Sequence, residues 1–492
     1  MRSLSQLLGV VAAAALLVAL QACVSAEHWA VIVAGSRGYG NYRHQADACH
    51  AYHVVRRHGI PAENVILMMY DDVANHEDNP FPGQLFNKPT PGNGSEEDLA
   101  AVDVYKGCEV EYTGEQVTPE MFVNVLLGNA SATGGRRVLN STEKDRVFVN
   151  FVDHGARGFV VFPRGQELSS KTLGHALKQM HVTKKYKELV FYMEACESGS
   201  MFSTSFLKKI NAFATTAANG VEASWGTYCP PADHVNGKEL GTCLGDLYSV
   251  NWMEDSDLTD LSDESLADQF KRVKKQTNRS HVHQFGSKSI PKEIVGNFQS
   301  NYDQGDAEED DKSLQSGKGN HKQQSTSTSA YQQAPVPNVK ASSAVSAHDV
   351  DLVLAFYKYL RASSGPDRRA LADALMKRIQ ARESDDVLFE KIQALYSKRT
   401  NGQPLLQSSE PEDFECQDQV LRVFEKQCSN QEVAGRHKGD PDIGHGFTAY
   451  SLKYVGVLTD LCESPMQVHE IEAILKDACA TPQASAESEN GA

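Results

Sequence analysis

The chain is 492 residues long and carries a formal net charge of −16 at pH 7. This length exceeds that of one ordinary domain and predicts two or three. Its apolar content of 40% is ordinary and sufficient for a buried core. The negative charge argues against a nucleic-acid partner, because binding to phosphates needs clustered lysine and arginine side chains.

The N-terminus predicts a leader that is removed. Arg2 precedes an apolar run over residues 7–20, and residues 24–26 resemble a cleavage site. We therefore predict a secretory signal peptide over residues 1–26, because the run is too short for a typical membrane span. No other stretch is apolar and long enough to cross a membrane. A weak similarity of residues 20–23 to a bacterial lipoprotein site is the less favoured alternative.

Four Asn-x-Ser/Thr sequons support a secretory route and are candidate glycosylation sites: Asn93, Asn129, Asn140 and Asn278. Cys23 leaves with the predicted signal peptide, so nine of the ten cysteines remain. An odd number of cysteines in an oxidising compartment predicts at least one free thiol.

Five short β-rich runs alternate with helix-like stretches in the first half of the chain. They occupy residues 29–35, 64–70, 147–155, 188–196 and 211–219. The runs are almost continuously apolar, as expected for strands buried on both faces of a mainly parallel sheet. Residues 45–59 read as a helix that ends at Gly59. The pattern predicts an α/β sandwich over residues 27–299.

Three chemically capable residues follow the predicted strands. Asn41 follows the first run, His154 ends the third, and Cys196 ends the fourth. Since active sites of open α/β sheets lie beyond the carboxyl ends of the strands, these residues are predicted to share one edge. A cysteine protease needs a thiolate, a base and donors for the oxyanion, and Gly155 offers a backbone N–H beside the base. Taken alone, Cys196 is more often a buried inert thiol, but His154 at a strand end before Gly155 favours the catalytic interpretation.

The composition changes after residue 300. An acidic run (residues 303–312) and a polar low-complexity run (residues 322–337) predict a flexible, protease-accessible linker over residues 300–346, without structured segments. Apolar residues then recur at helical spacing and predict an all-α block over residues 347–492. It holds four cysteines, which allow three pairings: Cys416, Cys428, Cys462 and Cys479. We expect them to be structural, since the close pairs typical of zinc sites are absent.

Four motifs together resemble the legumains, also called asparaginyl endopeptidases or vacuolar processing enzymes. They are "AGSRGYGNYRHQADACHAY" (residues 34–52), "DHG" (residues 153–155), "EACESGSM" (residues 194–201) and "LGDLYSVNWMEDSD" (residues 244–257). The resemblance covers about residues 28–290, and the helical tail resembles the family's C-terminal prodomain. It implies a caspase-like sheet and a cysteine endopeptidase that cleaves after Asn, or after Asp in acid, through a thioester. No cofactor and no metal are expected.

The resemblance also implies roles for individual residues. The catalytic set is Cys196 as nucleophile, His154 as general base, Asn41 orienting the histidine, and Gly155 as oxyanion donor. The S1 pocket, which receives the side chain before the cleaved bond, is formed by Arg43, His44, Glu194, Ser224 and Asp246. Asp153 matches a residue that can form a succinimide. The implied disulfides are Cys416–Cys462 and Cys428–Cys479, with Cys229–Cys243 expected in a Pro- and Gly-rich loop.

The S1 set suits an asparagine side chain. An amide has one acceptor oxygen and two N–H donors, so Arg43 can donate while Glu194 and Asp246 accept. The alternative for Arg43 and Asp246 is an ordinary ion pair. One departure from the family pattern is Ala223, which stands where a serine is common. We expect Cys49 to pack in the helix after the first strand, and Cys108 has no assigned role.

The tail is expected to make the chain a zymogen that is inactive at neutral pH. Self-cleavage is predicted at Asn301, Asn320 or Asn338, and acid is expected to protonate carboxylates between the domains and weaken their ion pairs. The expected location is the secretory pathway to an acidic vacuole or lysosome, or secretion. Three alternatives remain: a peptide ligase using the same thioester, a non-enzymatic binding module, and a lipid-anchor transamidase, which would carry a membrane segment after its catalytic region.

Overall fold

The computed structural model describes residues 26–90, 101–302, 342–408, 411–429 and 442–480. The predicted signal peptide, apart from its last residue, and most of the predicted linker lie outside these ranges, as do Asn93, Asn320 and Asn338. In the described part of the chain, no helix has the length and apolar character needed to cross a membrane.

A six-stranded sheet forms the centre of the N-terminal unit. In spatial order its strands are β13 (His283–Gly286), β8 (Ala212–Thr216), β7 (Glu188–Glu194), β3 (Arg146–Val152), β1 (His28–Ala34) and β2 (Val65–Met68). All neighbours pair in parallel except β13, which runs antiparallel to β8. Each of the five predicted runs overlaps one of the parallel strands, so the predicted mainly parallel α/β fold is confirmed.

Helices cover both faces of this sheet. In β1, Ala30 and Ile32 face one apolar core while Val31 and Val33 face the other, which explains why the run lacks polar alternation. The first core includes side chains from α1 (Tyr42–Arg57), α5 (Leu247–Leu258), α6 (Leu266–Gln276) and α7 (Gly296–Gln299). The second includes side chains from α2 (Pro119–Leu126), α3 (Ser170–Val182) and α4 (Thr204–Lys209).

Short strands surround the carboxyl edge of the sheet. One antiparallel group contains β4 (Gly155–Ala156), β5 (Phe159–Phe162) and β6 (Gln166–Ser169), and β10 (His234–Val235) pairs with β11 (Lys238–Glu239). A third group has the order β12 (Gly245–Asp246), β9 (Trp225–Thr227) and β14 (Val345–Ser346). Strand β14 corrects the prediction of an unstructured linker to residue 346, because its backbone pairs with the free edge of β9.

The C-terminal unit is helical, as predicted. Its helices are α8 (Val350–Arg361), α9 (Pro366–Arg399), α10 (Phe414–Phe424), α11 (Val455–Cys462) and α12 (Val468–Cys479). Stacked aromatic rings form its centre. The distance between ring centroids is 4.3 Å for Phe389 and Tyr454, and 4.7 Å for Phe424 and Phe447. Phe159 of β5 belongs to the same apolar cluster, so this unit packs directly on the N-terminal unit, the predicted catalytic unit.

Four disulfides join the described cysteines: Cys49–Cys108, Cys229–Cys243, Cys416–Cys462 and Cys428–Cys479. The last three are the pairs named from the sequence. The first corrects the expectation for Cys49, which lies buried in α1 but is bonded to a loop residue 59 positions later. Spacing alone could not show this pair, because the loop returns to the helix only in the folded chain. Among the described residues, Cys196 is the free cysteine.

We predict that removing the Cys49–Cys108 disulfide in a Cys49→Ala/Cys108→Ala variant destabilises the chain by about 4 kcal/mol, because the bond closes a long loop in the unfolded state. Urea unfolding of the precursor measures this change. The matched control is the Cys229→Ala/Cys243→Ala variant, whose shorter loop predicts a loss of about 3 kcal/mol. A smaller loss in the first variant than in the control would contradict the prediction.

Candidate active site

Three neighbouring strands bring the predicted catalytic residues to one edge. Ala34 pairs with Val152, and Val152 pairs with Glu194, so β1, β3 and β7 end side by side. The chain segments that carry Asn41, His154 and Cys196 therefore leave the sheet at its carboxyl edge, as the sequence predicts.

His154 is held as an oriented, neutral imidazole. Its Nε2 lies 2.8 Å from Asn41 Oδ1, and the amide nitrogen of Asn41 donates to the carbonyl of Arg37 at 3.0 Å. Because the amide offers its oxygen to the ring, Nε2 carries the proton and Nδ1 can accept one. Burial, helped by the positive charge of Arg43 and by His348, lowers the pKa of His154 well below its ordinary value.

Gly155 brings the histidine segment against the cysteine segment. A Cβ at Gly155 would lie 2.6 Å from the carbonyl oxygen of Cys196 and 3.0 Å from Cβ of Ala195. Any other residue would push the two segments apart. The close approach places the backbone of Gly155 beside that of Cys196, the predicted nucleophile, as the predicted oxyanion donor requires.

Cys196 lies in the turn after β7. Glu197 has a φ of 49°, a left-handed conformation that is uncommon outside glycine, and it starts the turn into residues 198–201. The thiol is buried, and its Sγ lies 3.7 Å from Ser224 Oγ. The thiol lies beside the polar side chains of Ser224, Glu197 and His348, while the ring of His154 is bonded to Asn41.

The predicted S1 residues form one buried polar cluster below this edge. Arg43 Nε donates to Asp246 Oδ1 at 2.9 Å, and both side chains are almost fully buried. His44 Nε2 lies 3.6 Å from Asp246 Oδ2. Glu194 Oε2 accepts hydrogen bonds from the backbone N–H and the hydroxyl of Ser249, at 3.0 Å and 3.1 Å.

Three atoms of this cluster are buried without a hydrogen-bond partner. They are Arg43 Nη2, Glu194 Oε1 and Asp246 Oδ2. Unpartnered buried polar atoms are unfavourable, and in a binding site they indicate the groups that a ligand supplies. One donor and two carboxylate acceptors match the single oxygen and two N–H groups of a primary amide.

Crowded carboxyl groups give the cluster an unusual charge state. Burial, followed by repulsion from Asp246, raises the pKa of both Asp47 and Glu194 well above their ordinary values. Burial also raises the pKa of Asp246, against the opposing effect of Arg43. Asp47 accepts the backbone N–H of Asp246 at 3.0 Å. Our sequence reasoning did not single it out, although it lies in the same motif as Arg43.

Asp153 directly precedes His154 and contacts His44. Its Oδ1 is 3.4 Å from His44 Nδ1, whose bonded partner is Ser36 Oγ at 2.6 Å. A Cβ at Gly35 would come within 2.4 Å of Asp153 Oδ2, so only glycine leaves room for this carboxyl group. Burial raises the pKa of Asp153 well above its ordinary value, which favours a neutral acid.

The chain after the predicted linker lies across this site. This pro-segment, residues 342–361, includes β14, which pairs antiparallel with β9. The Ala347 N–H donates to the Ser224 carbonyl at 2.9 Å, next to the thiol. Arg361, in α8, makes two hydrogen bonds of 2.7 Å and 2.9 Å with Asp233 of the catalytic unit. The pro-segment therefore covers Cys196 in this state.

Ion pairs also connect the helical unit to the catalytic unit. Arg157 pairs with Asp460, Arg37 with Asp442 at 2.6 Å, and His445 with Glu167 at 3.4 Å. Burial would lower the pKa of His445, but Glu167 and Glu425 outweigh it and raise the pKa. Burial raises the pKa of Asp460. Because the pKa values of His445 and Asp460 are raised in the docked state, protonation of these two groups in acid strengthens docking. This direction is opposite to the expectation that acid weakens the ion pairs between the units.

We predict that His445→Ala weakens docking at every pH below about 6.5 and progressively less above it. The raised pKa means that the contribution of His445 is complete below its ordinary value of about 6.5 and is lost as the pH rises through the raised value. We expect a loss of about 1 kcal/mol at pH 5.5 and almost none at pH 8.5. Thermal unfolding of the precursor at both pH values measures it, with the exposed His469→Ala as control. A larger loss at pH 8.5 would contradict the assignment.

Three predicted glycosylation sites, Asn129, Asn140 and Asn278, lie exposed on the catalytic unit. The candidate cleavage residue Asn301 is also exposed, directly after Ser300 at the end of that unit. These positions are accessible to a modifying enzyme or to a protease.

Comparison with known proteins identifies both units. A model of the Peptidase C13 family matches residues 28–301, and a model of the legumain prodomain matches residues 373–479. Legumain of Mus musculus is 39% identical over 459 residues, covering 92% of this chain and 92% of that protein. The vacuolar-processing enzyme delta-isozyme of Arabidopsis thaliana is 36% identical over 471 residues, covering 92% and 90%.

Among solved structures, caspase-1 from Spodoptera frugiperda is 10% identical, with 53% of this chain and 88% of that chain covered and a TM-score of 0.31. That score is too low to support an argument. The family matches extend over more than half of this chain, and they confirm the resemblance seen in the motifs. The chain belongs to the Peptidase C13 family and is a cysteine endopeptidase made as a zymogen with its own legumain prodomain.

Proposed function

We propose that this protease cleaves peptide bonds after asparagine. The observation that carries the proposal is the set of unpartnered buried atoms in the S1 cluster: one N–H of Arg43 and one oxygen each of Glu194 and Asp246. An asparagine amide satisfies all three, whereas an aspartate carboxylate would face two acceptors. A site built around such polar atoms rejects side chains that leave them unpaired.

The proposed reaction uses Cys196 and His154. The thiol proton moves to Nδ1 of His154 as Sγ bonds to the substrate carbonyl carbon, and the Gly155 N–H stabilises the resulting oxyanion. The C–N bond then breaks, the imidazolium gives its proton to the leaving amine, and a thioester remains. Water hydrolyses this thioester with His154 as base, which regenerates the thiol. Reaction requires removal of the pro-segment, because it covers the thiol.

Activation is proposed to occur by self-cleavage in acid, with the exposed Asn301 as the described candidate site. The pairs of Arg361 with Asp233 and of Arg37 with Asp442 hold the pro-segment and the helical unit on the catalytic unit. Since His445 and Asp460 favour docking in acid, release of the helical unit depends on cleavage of the chain and not on those two groups. We place the enzyme in an acidic lytic compartment, supported by its similarity to a protein named vacuolar-processing enzyme.

Product analysis tests the proposal. Acid-activated enzyme is incubated with a peptide containing one asparagine, with and without a second peptide that carries a free N-terminal amine, and products are identified by mass. Cleavage after asparagine is expected. Absence of that cleavage would reject the specificity. A joined product that dominates over the hydrolysed one would show that an amine resolves the thioester, and the enzyme would be a peptide ligase.

A further inference from the structure

Metal-binding side chains from two units meet at the thiol. Cys196 and Glu197 come from the catalytic unit, and His348 comes from the pro-segment. We propose that these three side chains form a zinc-binding site that exists only while the pro-segment is docked. The site neither requires nor follows from the proposed specificity for asparagine.

The geometry suits a small cation. The three side chains each offer one ligand atom, and these atoms lie within 4.8 Å of one another. His348 Nε2 is 3.6 Å from Glu197 Oε1. Zinc bonds of about 2.0–2.3 Å in a tetrahedral arrangement place ligand atoms about 3.3–3.6 Å apart. The cluster therefore needs side-chain shifts of only about 1 Å to close around the ion.

The histidine is already oriented as a metal ligand. His348 Nδ1 lies 2.7 Å from the carbonyl oxygen of Ala449, and a carbonyl can only accept, so Nδ1 carries the proton. The other nitrogen, Nε2, points toward Glu197 and is buried without a hydrogen-bond partner. An N–H···O=C bond behind the ring is the usual support of a zinc-bound histidine. Arg382 further holds the backbone by donating to the His348 carbonyl at 3.0 Å.

The charges around the cluster favour a cation. Glu197 Oε2 is buried without a hydrogen-bond partner, and His348 itself is only 6% exposed. The acidic side chains of Cys196 and Glu197 both face the ring of His348, and the ligand atoms of the three residues lie within 4.8 Å of one another. The same two acidic groups would attract a divalent ion, and a thiolate, an imidazole and a carboxylate are all ligands of zinc.

Binding exchanges protons for metal without any change of oxidation state. Zn²⁺ bonds to the thiolate sulfur, the thiol proton passes to solvent, and any proton on Nε2 of His348 is released as well. A water molecule completes a four-coordinate ion. The bound metal would coordinate the sulfur of Cys196, so that it could not attack a substrate, and would link the pro-segment to the catalytic unit through His348. Removal of the pro-segment takes away one of three protein ligands.

Cobalt substitution tests the site on the full precursor lacking residues 1–26, without an affinity tag, at pH 7.5. Co²⁺ bound to a thiolate produces a charge-transfer absorption band, and Cys196 is the free thiol among the described residues. We expect the band at one cobalt per chain and its loss on addition of one equivalent of Zn²⁺. Loss of a residue that only supports a metal ligand typically weakens metal binding by roughly 10- to 100-fold. His348→Ala removes a ligand itself, so it should weaken cobalt binding by more than that.

Two further variants separate ligand loss from misfolding. Glu197→Gln should also weaken binding, whereas His469→Ala, at an exposed histidine of the helical unit, should leave the band unchanged. Thermal unfolding checks that each variant is folded. Absence of a thiolate band at one equivalent of metal would overturn the proposal. A band of equal strength in folded His348→Ala would overturn it too, since the pro-segment would then contribute no ligand.

Discussion

The Cys196→Ala precursor is expected to remain uncut in acid under conditions in which the unmodified precursor processes itself. Loss of an enzyme's nucleophile lowers the rate by at least about 10³-fold, since no other group can form the covalent intermediate. Cys196 is the free thiol of the described chain, and it stands at the edge that also presents His154. Gel analysis of the purified precursor over time at pH 4.5 and pH 7.5 measures the effect.

Two controls make this result interpretable. Ser205→Ala removes an exposed hydroxyl of the same unit and leaves the thiol and the predicted S1 residues in place, so its precursor should still process itself. A trace of mature enzyme added to the Cys196→Ala precursor should cut it, which shows that its cleavage sites remain accessible. Processing of Cys196→Ala at the unmodified rate, without added enzyme, would mean that another protease performs activation.

The second large effect concerns the choice between asparagine and aspartate. We expect kcat/KM at pH 7 to be at least about 10²-fold higher for a peptide with Asn than for its Asp counterpart, because the S1 carboxyl groups repel a charged side chain. Lowering the pH should raise the relative rate for Asp. Glu194, whose pKa is raised by burial and by Asp246, becomes a neutral donor, and the substrate carboxyl approaches its own pKa.

The Glu194→Gln variant isolates this charge. Glutamine can still accept the hydrogen bonds from Ser249, so the pocket keeps its shape, but it no longer repels a carboxylate. We expect the Asp-to-Asn ratio of kcat/KM at pH 7 to rise at least about tenfold, in line with the loss of a charged hydrogen bond. Glu188→Gln, at the other end of the same strand and paired with Arg146, is the matched control. An unchanged ratio in Glu194→Gln would remove Glu194 from the S1 pocket.

The central sheet could be predicted because its strands are buried on both faces. Residues 29–35, 147–155 and 188–196 are apolar throughout for that reason, and parallel pairing then places their ends together. The catalytic residues follow those ends, so their shared edge was predictable as well. Resemblance in short motifs added the S1 residues, which no periodicity indicates.

Contacts between distant segments could not be predicted in this way. The Cys49–Cys108 bond, the pairing of β14 with β9 and the position of His348 against the thiol each join segments far apart in the chain. Local patterns carry no information about which loop returns to which edge. The pro-segment is an example, because its polar sequence resembles a linker while its backbone completes a sheet.

The sequence by itself determined the α/β and helical units, the strand ends that carry Cys196 and His154, and the family. These depend on local burial patterns and on residue types at fixed spacing. Only the tertiary structure decided which polar atoms in the S1 cluster lack partners, which carboxyl groups are crowded, and which side chains cover the thiol. Those properties arise because burial and charge depend on neighbours that folding alone brings together.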